Sequence, residues 1–225
     1  MSLSRRDRIG AVLYDNRLVT SAELFIVTIF QALDSLGFPA IFFLFPFSRI
    51  SLWLRKIGWR DLGLRRPTSW LRTIGIAVMV GVAYTAIEIR LIEPLLHQLG
   101  VGSEDLSNFE GIRDNIPVLA IWIIIGWTIG GFAEEMVYRG YLLNRLADLI
   151  GHGRASWVVG LIGSSAFFAF GHAYLGIAGI LLTFLEACVW AGLYLGGGRN
   201  LWLPIVGHGI TNTLGFILMY FGLYP

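Results

Sequence analysis

The sequence predicts an all-α membrane protein, a polytopic transmembrane helical bundle of about six spans around a polar cavity. Three observations carry this. Of 225 residues, 56% are hydrophobic and 14% charged, where soluble domains carry about a quarter charged residues. Apolar runs of helical length recur along the whole chain. And two adjacent carboxylates, Glu134 and Glu135, stand deep in one of these runs. An ionisable side chain there costs about 3 kcal/mol or more, so it faces the protein interior with a partner or a task.

The same composition excludes other classes. A net charge of +2 is too small to draw nucleic acid. The single cysteine, Cys188, allows no intrachain disulfide and no cysteine-based metal site; it reads as a small buried apolar residue. Arg5, Arg6 and Arg8 are followed by polar residues, which is not a signal-peptide pattern. Without repeats or low-complexity stretches, residues 1–225 read as one integral membrane domain.

Residues 1–19, with four arginines, read as an interfacial or disordered lead-in. The first apolar run, about Leu24 to Phe47, is long enough to cross a bilayer, with a kink where Asp34, Gly37 and Pro39 interrupt it. Six Lys or Arg against one Asp, with Trp53 and Trp59, mark 49–66 as a cytoplasmic juxtamembrane loop with an interfacial helix. One crossing before this loop puts the N-terminal arginines outside. Either that tail breaks the positive-inside rule or the first run does not cross fully. Pro67 and Thr68 punctuate the entry to the second span.

That span covers about Trp70 to Leu95, its tail of Glu88, Arg90, Glu93 and His97 leaving into the headgroups. The acidic loop 100–115 follows on the opposite side of the membrane. The third span starts at Ile116 and ends on the cytoplasmic side at Arg139 and Arg145. A fourth runs about Ala155 to Tyr174, a fifth about Ile177 to Leu195 and a sixth about Leu201 to Leu223, the last two joined by the turn Gly196-Gly-Gly-Arg-Asn200.

Spacing assigns the two glutamates differently. Glu135 and Arg139 are four residues apart, on one helix face and in the favourable order. Glu134 is rotated by roughly 100° and has no built-in counter-ion. In Phe168-Ala-Phe-Gly-His172 the phenyl ring lies one turn from the imidazole, and in His208-Gly-Ile-Thr-Asn212 an imidazole lies beside a carboxamide. A cluster of Glu, His, His and Asn from three helices favours chemistry over packing. Glu186, without a polar neighbour at helical spacing, reads as a structural partner of an Arg or His.

Glu134-Glu135-x-x-x-Arg139, Phe168-x-x-x-His172 and His208-x-x-x-Asn212 resemble, in order, the three motifs of the CAAX protease and bacteriocin-processing family, also called Abi. That family includes the type II CAAX prenyl endopeptidases. Leu62-Gly-Leu-Arg-Arg-Pro67 looks like the loop that precedes its core. The resemblance covers a core of 117–222 and implies an intramembrane endopeptidase with its cavity open toward the cytoplasm. It implies that Glu134 and His172 activate water and that His208 and Asn212 form an oxyanion hole. Glu135, Arg139 and Phe168 support the site. The chain has fewer spans than prenyl-processing members, which leaves the substrate open.

The chemistry is consistent with those roles. Low-dielectric surroundings strengthen a carboxylate as a base, and donors to a developing oxyanion count most there. No serine is placed as a nucleophile, and Cys188 has no partner. Two histidines and a glutamate could instead bind zinc with an open fourth position. Against this, His-Glu-x-x-His is missing, the ligands come from separate helices, and Asn212 suits an oxyanion better than zinc. The reading is therefore a metal-free hydrolase without cofactor, acting on a membrane-associated peptide or protein in a bacterial or archaeal cytoplasmic membrane. The rival outside enzymes is a membrane scaffold or immunity protein.

Depth poses one problem. At about 1.5 Å per residue, Glu134 lies roughly 27 Å inward from Ile116 and His172 roughly 25 Å outward from Ala155. Straight spans do not bring them together. The third helix is therefore expected to bend or break at Gly130-Gly131, or the segment after Arg139 to re-enter.

Overall fold

A computed structural model describes residues 10, 12, 13, 16–34, 39–151 and 153–224. Arg5, Arg6, Arg8 and Gly37 lie outside the described residues. The described chain is all helical: α1 Arg17–Asp34, α2 Ile41–Leu54, α3 Trp70–Gln98, α4 Ile116–Ile150, α5 Arg154–Phe170, α6 Gly176–Gly196 and α7 Trp202–Tyr220. By length and composition, α3, α4, α7 and the stretch from Ala173 through α6 are able to cross a membrane, while α2 and α5 are shorter apolar helices.

Local chemistry sets these boundaries. The Ser69 and Asn115 side chains accept from Arg72 N and Val118 N, capping α3 and α4. Gly151, at φ +124°, ends α4 in a conformation that a side chain would strain. The first expected span is two helices, one ending at Asp34 and the other beginning at Ile41. The fourth is shorter than expected. α5 stops at Phe170, and Ala173–Leu175 form a 3-10 turn.

The third span differs most. α4 runs unbroken to Ile150, so Arg139 and Arg145 are not an exit to water but buried at 0% and 5% exposure. Each is tolerated because it has an acid nearby, Glu135 for Arg139 and Asp148 for Arg145. This resolves the depth problem. Glu134 lies 16 residues before Ile150, and His172 lies 18 residues after Arg154, so both stand roughly 25 Å from the shared turn. Nor does the helix break at Gly130-Gly131. It widens into π-helix over Gly126–Glu134 and again over Met136–Leu142, a local change common at functional sites.

α7 packs between α3 and the π-helical part of α4, and α5 packs against α6 and the end of α4. Small residues permit the close approach: a Cβ on Gly131 would meet Ile205 O at 2.9 Å. The basic loop is docked onto the turn between α6 and α7. Leu201 N donates to Gly63 O, Tyr194 Oη to Leu62 O, and Arg65 Nη2 to Gly198 O. At the N-terminus, buried Arg55 donates to Glu23 at 2.6 Å, tying the end of α2 to α1.

Candidate active site

Glu135 and Arg139 form the expected pair, 2.9 Å apart and both fully buried. Arg139 also donates to Ala187 O on α6 at 3.1 Å, and its guanidinium lies over the Phe168 ring at 4.7 Å. The spacing did not reveal a third partner. Nδ1 of His208 lies 2.8 Å from Glu135 Oε1, the same oxygen that meets Arg139. The carboxylate accepts, so Nδ1 carries the proton, and Nε2 carries one only when the ring is an imidazolium.

Glu134 points elsewhere. Its side chain is 16% exposed against 0% for Glu135, and its Oε2 lies 4.0 Å from His208 Nε2. His172 lies in the turn after α5 rather than on its face. Its Nδ1 is 2.9 Å from Phe168 O. A carbonyl only accepts, so Nδ1 carries that proton and Nε2 is left as an acceptor. Both neutral imidazoles thus carry their proton on Nδ1 and leave Nε2 as an acceptor, and Nε2 of either ring donates only as part of an imidazolium.

Phe168 joins these groups. Its ring centroid is 4.5 Å from that of His172 and 5.7 Å from that of His208, the latter edge to face. Asn212 is held through its amide, which donates to Gly126 O at 3.1 Å. The missing side chain of Gly130 exposes the point where α7 offers its nitrogens. A Cβ there would lie 2.5 Å from Asn212 Nδ2 and 3.6 Å from His208 Nε2.

Glu134, Glu135, Arg139, Phe168, His172, His208 and Asn212 are thus brought together from α4, α5 and its following turn, and α7. Glu186 stands apart from the expectation. Among the described residues, its Oε1 accepts from Trp190 Nε1 and Thr211 Oγ1 rather than from an Arg or His. Cys188 is only partly buried. Among the described residues, no group of three or more His, Cys, Asp or Glu is arranged to hold a metal ion.

No curated protein and no solved structure matches the chain. Residues 116–214 match the family model described as type II CAAX prenyl endopeptidase Rce1-like. This stretch, which is similar to that protease family, holds all three motifs read from the sequence.

Proposed function

We propose that the protein is an intramembrane endopeptidase that hydrolyses a peptide bond in a membrane-associated peptide or protein, with residues 117–222 as its catalytic core. Glu134 takes a proton from water, and His172, with Nε2 as acceptor, shares that water. The oxygen of the scissile carbonyl becomes the oxyanion in the notch over Gly130. There it accepts from the second N–H of Asn212 and from Nε2 of His208 as an imidazolium. The carboxylates of Glu134 and Glu135 flank that cation, and Arg139 balances the second of them. Glu134 then returns its proton to the departing amine as the tetrahedral intermediate collapses.

The observation that supports this best is the convergence over Gly130: two side-chain nitrogens face one small space while an accessible carboxylate stands 4.0 Å from one of them. Preorganised donors of this kind act without reorganising during reaction. Exposed apolar side chains along α4, including Ile121 and Ile124, fit a protein within a bilayer. The positive-inside rule places the basic loop 49–66 on the cytoplasmic side of that membrane.

The experiment is reconstitution in vesicles with a panel of fluorogenic membrane-proximal peptides, comparing the parent with Asn212→Ala. Hydrolysis by the parent with loss in the variant supports the reading. Equal signals from both make the polar cluster a packing feature of a scaffold.

A further inference from the structure

The N-terminal helix α1 precedes the family match at 116–214, yet it turns a polar stripe inward. Thr20, Glu23, Val27 and Gln31 are buried, while Leu18, Phe25 and Ile29 are exposed. These buried positions fall on one helical face. An inward polar face in an apolar protein needs internal partners. Glu23 has them in Arg55 and Ser51. Gln31 reaches across to α4, where its Oε1 accepts from the Tyr138 hydroxyl at 3.0 Å.

Tyr138 is one turn beyond Glu134, and its ring meets Phe168 edge-on, at 90° with centroids 5.1 Å apart. Phe168 in turn touches His172 and His208. Ring contacts between apolar groups are weakly directional, whereas the hydroxyl bond fixes where the Tyr138 ring stands. We propose that Gln31 is a positioning residue for the active site: through Tyr138 it sets the place of Phe168, against which both imidazoles rest. This rests on the hydrolase reading above. Its logic is geometric, since a misplacement of about 1 Å in a catalytic group costs about 100-fold in rate, and smaller shifts cost proportionately less.

The test uses the full chain in detergent, with turnover counted per folded molecule. Gln31→Leu and Tyr138→Phe should each lower kcat about five- to tenfold, the rate equivalent of one hydrogen bond, with KM unchanged. The double variant should fall no further, because both changes remove the same contact. Gln31→Glu, which keeps an acceptor oxygen, should recover most of kcat. Diethyl pyrocarbonate labelling of His172, read by mass spectrometry, should change in Gln31→Leu and needs no substrate. Losses that multiply in the double variant, a loss confined to the folded amount, or unchanged His172 labelling each overturn the proposal. Parent-like turnover in Gln31→Leu, with Glu134→Gln inactive, overturns it and leaves the hydrolase intact. A parent no more active than Glu134→Gln overturns the hydrolase, and the labelling still decides the place of Gln31.

Discussion

One oxygen of Glu135 lies 2.8 Å from His208 Nδ1 and 2.9 Å from Arg139. The inner carboxylate therefore ties α4 to α7 as well as neutralising its own helix's arginine. It orients the imidazole so that Nε2 faces Glu134. Structural support and orientation are one contact here, so substitutions at 135 should disturb folding and chemistry together.

Removing an oxyanion donor costs other hydrolases about 100- to 1,000-fold in turnover. Asn212→Ala should lose activity on that scale with KM and melting temperature close to the parent's. Steady-state kinetics beside thermal melts in detergent measure this. A loss matched by lost folded protein would make Asn212 a packing residue.

Gly130→Ala should reproduce that loss without touching either donor chemically. The added methyl would stand 2.5 Å from Asn212 Nδ2, displacing the amide and filling the oxyanion space, so a drop of about 100-fold or more is expected. Gly75→Ala, where a Cβ meets nothing within 4 Å, is the control and should keep parent turnover. Full activity in Gly130→Ala would remove the notch from the mechanism.

A strong chelator should leave turnover unchanged, and elemental analysis of the purified protein should find no stoichiometric zinc. Reversible loss with chelator, restored by added zinc, would transfer the chemistry to a metal held by the histidines.

Outside the spans, burial, helped by the charge of Glu93, pushes the Glu104 carboxyl up to about 7, against an ordinary value of 4.5. The folded chain thus binds more protons than the unfolded chain between these values. This group's contribution to stability falls as pH rises through that window and is constant above it. Glu104→Gln keeps an oxygen for the Tyr224 hydroxyl, which lies 3.3 Å away. It should melt higher than the parent at pH 8 and alike at pH 4.5. An equal difference at both pH values would refute the titration.

Much of this was legible in the sequence, and the failures have physical causes. The Glu135–Arg139 pair and the company of Phe168 with His172 follow from four-residue spacing, which survives even where the chain leaves the helix. The end of α4 was misplaced because a buried arginine with an internal partner and one entering headgroups look alike as letters. The π-helical widening over Gly126–Glu134 leaves no periodic signature in so apolar a stretch. Gln31 with Tyr138 and Glu186 with Thr211 are pairings across the bundle. In each, the signal was a polar residue inside an apolar helix, without the identity of its partner.

The central claim is that Glu134 performs the chemistry and Glu135 holds the site. Breaking a buried pair leaves an uncompensated charge and costs about 3–5 kcal/mol, so Glu135→Gln should reduce the folded, membrane-inserted amount as well as activity. Glu134→Gln keeps size and shape but cannot take a proton from water. The deciding measurement is turnover per folded molecule for the two variants expressed side by side, with folded protein scored by detergent size-exclusion. The prediction is that Glu134→Gln accumulates like the parent and is inactive. Retention of most turnover by Glu134→Gln, with Glu135→Gln folded normally and inactive, would contradict it.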